Sequence, residues 1–319
     1  MPWNLISEDT ATIPNAWFQA QSNRKYRSIV HEACHKKETK ALQSFANGAT
    51  TVDEAAYAIT QPISTTSIQN TNEYSDDCYA LCHLWELFKS ALIEWPSTRT
   101  AELVALLTAI SKIEDPIHLG EFLDEDDNKA VPWAKLPYFT LVWGNAFWMT
   151  PGQIMRRATD AAAVRHVLQV YVKQQDTESR LVAAGLVWDE RRAISYLIRT
   201  LERIPTAEDE RITTGDGDAE DQLKLDMQIP AVRGWILHNG AQIYRSLRGI
   251  RDWPRRDLPT VTLRFDQPTD RWTFWQRRLF EIAGDNSLQD GIRETAQDAA
   301  EHMRTIQVIE SNTLKNVSL

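Results

Sequence analysis

Glu73-Tyr-Ser-Asp76-Asp77 places three carboxylates close together just ahead of an apolar, Trp-bearing segment. Oxygen donors of this kind can hold Mg2+, which takes one or two protein carboxylates together with the phosphates of a substrate. Acids in a first helical turn are also favoured by the helix dipole alone, so a plain helix start is the competing reading. His31-Glu32-Ala33-Cys34-His35 is an H-E-x-x-H pattern. On a helix it would set two imidazoles one turn apart for zinc, with the glutamate as base. Lys36 and Lys37 follow at once and no downstream histidine extends the pattern, so an ordinary polar helix face is the competing reading. Asp124-Glu125-Asp126-Asp127-Asn128 would repel itself unless solvated, which points to an exposed loop. Arg156-Arg157 and Arg255-Arg256 could each grip a pyrophosphate through charge-assisted bonds, or serve solubility. No GxSxG, Walker A or GxGxxG is present, so nothing nominates a hydrolase triad or a nucleotide fold.

The elements that must position these groups read as helices from end to end. Asn15 after Pro14 opens a first helix reaching into the forties, and Thr51-x-x-Glu54 is a capping box for the next. Leu81, Leu84, Trp85, Phe88, Leu92 and Trp95 fall at three- and four-residue spacing until Pro96, and Leu103, Leu106, Leu107, Ile110 and Ile113 repeat the pattern. Thr150-Pro151 starts a helix to about Gln175, and Asp176 or Thr177 starts another that ends before Pro205. Further helices are expected near 221–250, around Trp272 and Trp275, and near 286–309. Only VTLRF, 261–265, alternates like a strand, and one strand makes no sheet. The expected fold is therefore all-α, a single compact domain over 1–319 of about nine or ten helices. The acidic connector 211–221 is the place for any two-lobed division, and 310–319 reads as a polar tail.

Composition narrows the function classes. A net charge of -9 and the lack of clustered Lys and Arg argue against a nucleic-acid partner. No apolar run approaches the roughly 20 residues of a membrane-spanning helix. The start MPWNLISEDT lacks the basic and apolar stretches of a secretory leader, so a reducing, cytoplasmic compartment is expected. The 12 Trp are an unusual load for a helical chain, and they imply thick helix interfaces or an aromatic-lined cavity. Oligomeric state is left open, a homo-oligomer included.

Four blocks, LWELFKSALIEWP with ELVALLTAISKIEDP (84–116), WAKLPYFTLVWGNAFW (133–148), IPAVRGWILHNGAQIYR (229–245) and DRWTFWQRRLFEIA (270–283), resemble a fungal family of helical proteins of unknown function. Such proteins often accompany secondary-metabolite genes. The chain is also similar in kind to the noncanonical humulene synthases of tropolone-sesquiterpenoid pathways. That resemblance implies a Mg2+-dependent lyase, a sesquiterpene cyclase acting on farnesyl diphosphate as its isoprenoid diphosphate partner. Glu73, Asp76 and Asp77 would then hold the metal and Arg156 and Arg157 the diphosphate. Trp85, Trp143, Phe147 and Trp148 would line the wall facing a carbocation. Asp76-Asp77 departs from the class I pattern in lacking an acid three residues later. The alternatives are a non-enzymatic helical binding or regulatory protein and, third, a zinc peptidase through HEACH.

Overall fold

The computed structural model describes residues 3–23, 35–64, 76–114, 117–118, 130–145, 160–187, 190–202, 217–249 and 268–317. They are all-α, as the periodicity requires, apart from a two-residue antiparallel pair, β1 (Ile117–His118) with β2 (Ala130–Val131). VTLRF lies outside the described residues. Among the described residues no helix is long and apolar enough to cross a membrane.

The chain divides into two compact units, Met1–Arg156 and Arg157–Leu319. The division falls at Arg156 and not at the acidic connector, whose last residues, from Gly217, already belong to a helix of the second unit. The rest of the connector, 211–216, lies outside the described residues.

In the first unit α1 (Asn15–Ser22), α2 (His35–Ala46), α3 (Val52–Ser64), α4 (Asp76–Glu94), α5 (Thr100–Ile110) and α6 (Phe139–Gly144) follow in order. Pro14, in extended conformation, takes the N-cap position of α1, and Asn15 is its first helical residue without a side-chain cap. The capping box at α3 is formed: Thr51 N–H donates to Glu54 Oε2 at 2.8 Å, and Glu54 N–H to Thr51 Oγ1 at 3.3 Å. α2 packs on α1, α3 and α4, and α5 leans chiefly on α3. The far end of α4 is tied down by Glu94, which accepts from the indole N–H of Trp17 at 2.8 Å and from the backbone N–H of Asn4 at 3.1 Å.

The second unit holds α7 (Ala161–Ala183), α8 (Glu190–Leu201), α9 (Gly217–Gly249), α10 (Pro268–Gly284) and α11 (Asp290–Val317). α9 packs against the other four. Its contacts give the directions: Gln175 meets Trp235 and Ser179 meets Asn239, so α7 runs parallel to α9. Arg233 pairs with Asp298 and Arg245 with Glu310, so α11 runs parallel to it as well. α8 and α10 run antiparallel, through Tyr171–Tyr196 and Glu178–Arg192 on α7 and α8 and Trp272–Met303 and Gln276–Ala300 on α10 and α11. This is an up-and-down arrangement of five helices.

Two expectations are corrected in this unit. The helix does not break at Gln175 and Asp176; α7 runs through to Ala183, where Gly185 at φ 69° ends it by pairing Gly185 N–H with Val182 O and Leu186 N–H with Leu181 O. The expected polar tail is the last part of α11, which extends to Val317 and buries Glu310 against Arg245.

At Gly240 on α9 an added Cβ would lie 2.5 Å from Ile306 Cδ1 of α11. Gly240→Ala is therefore expected to cost about 1–3 kcal/mol in denaturant unfolding. Ile306→Val in the same chain removes the clashing methyl and is expected to recover most of that loss. An alanine variant as stable as wild type would show that the Ile306 side chain turns aside without cost.

Candidate functional site

Of the metal candidates, Asp76 and Asp77 are the first two residues of α4, and Glu73 lies outside the described residues. Phe147, Trp148, Arg156 and Arg157 also lie outside them, as do His31 to Cys34, the acidic run 124–128 and Arg255-Arg256. His35 is the first residue of α2. Among the described residues no group of three or more His, Cys, Asp or Glu side chains is placed to hold a metal ion.

Trp85 and Trp143 are described, and the fold brings them into one aromatic cluster. Both are fully buried. Trp85 projects from the core face of α4, beside Leu81, Leu84 and Phe88, because the three- and four-residue spacing stacks these residues on one stripe. Its ring lies 5.2 Å from Phe139 and 6.2 Å from Trp133, at 65° and 82°, and Phe139 in turn lies 6.5 Å from Trp143. The edge-to-face contacts of Trp85 with Phe139 and Trp133 suit the ring quadrupole and contribute about 0.5–1.5 kcal/mol each beyond burial.

The corner that delivers Trp133 and Phe139 to α4 is unusual. Leu136 and Tyr138 both have positive φ, 39° and 65°, the left-handed region that side-chain-bearing residues seldom occupy. Pro137 sits between them, and its carbonyl accepts the indole N–H of Trp85, while the Trp133 N–H donates to Ser64 Oγ at 3.2 Å. Strain of this sort persists only where surrounding packing over-determines it, and here the aromatic cluster supplies that packing.

A second concentration of polar groups, which sequence reasoning did not find, lies in the second unit. Lys173, Gln174, Gln175, Thr177, Glu178 and Ser179 are all buried, and Asp176 is half-buried. Seven successive helical positions cover every direction around the axis, so this stretch of α7 is enclosed on all sides. On one side Asp176 accepts from Arg180 Nε at 2.8 Å and pairs with His238 Nε2 at 3.2 Å, across from Gly234, where a Cβ would lie 3.2 Å from the carboxylate. Burial raises the Asp176 pKa, but the bonds from His238 and Arg180 outweigh it and leave it below the ordinary range. Elsewhere on α7, Glu178 meets Arg192 at 3.1 Å, and the Tyr171 hydroxyl lies 3.0 Å from that of Tyr196. Burial lifts both phenols above their usual pKa. A polar run looks like a surface or a boundary in sequence, and only the surrounding helices reveal it as interior.

Residues 85–279 match the family described as Protein of unknown function (DUF3632). The match begins at the Trp of the aromatic cluster and ends at Leu279 on α10, so it takes in the cluster and the enclosed part of α7. No curated protein and no solved structure matches the chain.

Proposed function

From the premise that the chain belongs to the DUF3632 family, we propose that it is a Mg2+-dependent, noncanonical class I-type sesquiterpene cyclase. It converts farnesyl diphosphate to a cyclic, humulene-type product in the cytoplasm, within fungal secondary metabolism. The observation that carries the reading is the make-up of α4. This helix begins with Asp76 and Asp77 and carries Trp85 of the aromatic cluster farther along the same rod. At 1.5 Å per residue the acids and the ring are separated by about 13 Å along the axis. A chain of isoprene units headed by a diphosphate asks for that division between a charged end and an apolar one.

In this proposal Glu73, Asp76 and Asp77 hold the cation and Arg156 and Arg157 hold the diphosphate. Bound Mg2+ supplies neutralisation of the departing diphosphate. The chain's own further part is to exclude water and to offer ring faces, from Trp85, Trp143, Phe147 and Trp148, to positive charge. The ring-on-ring packing of Trp85 and its bonded N–H favour a second reading, in which the cluster is core and the protein is a non-enzymatic helical binding or regulatory protein.

Incubation with geranyl, farnesyl and geranylgeranyl diphosphates and Mg2+, followed by gas chromatography and mass spectrometry, separates the two. A cyclic sesquiterpene formed from farnesyl diphosphate and suppressed by a chelator is the expected result. Folded protein that releases no terpene from any of the three leaves the binding reading in its place.

A further inference from the structure

Glu38 lies on the core-facing stripe of α2 with Thr39, Leu42, Phe45 and Ala46, and it is 2 % exposed. Among the described residues neither of its carboxyl oxygens has a hydrogen-bond partner on another residue, and the neighbouring Thr39 hydroxyl has none either. Buried carboxylates are ordinarily paired or multiply hydrogen-bonded, because an ion taken out of water without compensation is far more costly than a neutral acid. A carboxyl sealed in this way is comfortable only as the protonated form.

Among the described side chains, α1, α3 and α4 bring no ion-pair partner to it. α1 carries no titratable side chain. On α3, Asp53 and Glu54 are exposed in the first turn and Tyr57 is 54 % exposed. Among the described side chains of α4, Lys89 is engaged by Glu86, and Glu94 by Trp17 and Asn4. Cys82 and His83 are half-buried, and burial holds the His83 pKa down. On α2 itself His35 opens the helix, and Lys36, Lys37 and Lys40 are exposed. Burial is the largest influence on Glu38, and its own backbone N–H and Lys37 oppose that influence without cancelling it.

We infer that Glu38 is a proton-operated latch on α2: protonated, it lets the helix seat against α1, α3 and α4, and ionised, it loosens that seat. The latch stands apart from the cyclase proposal, since neither uses the other's residues. The sign follows from linkage. The folded carboxyl titrates at about 7, against 4.5 for an unperturbed Glu. The stabilisation is therefore complete below the unfolded value and is lost as pH rises toward the folded one. The opening equilibrium of α2 climbs about tenfold per pH unit across that window, on the order of 300-fold in all, and levels off above it.

Two measurements on the full chain test this. A carbon-13 titration of the Glu38 carboxyl in wild-type protein should show a midpoint near 7. A midpoint in the ordinary carboxylate range overturns the proposal, whatever any variant does. Hydrogen exchange of the α2 amides, corrected for intrinsic rate, should show opening that increases with pH up to neutrality in wild type and stays flat in Glu38→Gln, which keeps the shape and cannot ionise. Equal pH dependence in the two proteins overturns the latch as well.

Discussion

Changing Asp76 and Asp77 together to Asn is expected to lower farnesyl diphosphate turnover by about 10²–10³-fold or more, the scale on which lost transition-state electrostatics registers. The substitution keeps side-chain size and removes the charge that binds the cation. It should leave the fold intact, because carboxylates at a helix start contribute only about 0.3–1 kcal/mol through the dipole. The two residues stand at the first positions of α4, and the far end of that helix is held independently by Glu94 with Trp17 and Asn4. Circular dichroism should therefore be unchanged while product formation collapses. If turnover by the variant stays within a few-fold of wild type, the acids do nothing beyond starting the helix, and the metal assignment fails.

Arg271→Met is expected to be the most damaging single change to stability, at about 3–5 kcal/mol near neutral pH. Glu202 has no exposed side-chain surface; its carboxylate forms an ion pair with Arg271, Nε at 2.8 Å, and accepts hydrogen bonds from Arg271 Nη2 at 3.3 Å and from the Trp275 indole N–H at 2.7 Å. Burial raises its pKa, with Arg271 and Trp275 opposing. Removing Arg271 strips out the larger opposing attraction and leaves an ion facing one neutral donor. Since the folded pKa is then higher still, the stability Glu202 contributes is present in acid and lost as pH rises. The deficit of the variant should accordingly shrink on acidification, as the carboxyl takes up a proton. Adding Glu202→Gln removes the stranded charge and should restore much of the loss at neutral pH. Urea unfolding at two pH values reads both effects, and a deficit that does not change with pH would mean that the guanidinium acts by packing alone.

The helical class and the core faces were legible because apolar spacing is a local property. Leu81, Leu84, Trp85, Phe88 and Leu92 are all buried on α4, as is Trp95 just past its end, and Leu103, Leu106, Leu107 and Ile110 on α5, in the pattern their three- and four-residue separations dictate. The capping box at Thr51 and Glu54 was equally readable, since both of its bonds are made within four residues.

Burial of polar residues was not legible, because it depends on what surrounds a helix and not on the helix itself. Lys173 to Ser179 have the composition of a solvated turn, and Gln175-Asp176 has the chemistry of a helix start, yet α7 passes through them enclosed. Their bonds run to Arg192, Trp235, His238 and Asn239, partners supplied by helices that arrive later in the chain. Glu38 gave no more sign: between exposed lysines it reads as surface, and its isolation comes from α1, α3 and α4 closing over it. The left-handed corner at Leu136 and Tyr138 is of the same kind, since neither residue favours that conformation and the contacts of Trp85, Trp133 and Phe139 hold it there. What the sequence by itself determined is which faces are apolar and where helices can start. Tertiary structure alone decided which polar groups lose their water and which partners they meet; lost water raises the pKa of Glu38 and Glu202, while bonds from His238 and Arg180 lower that of Asp176.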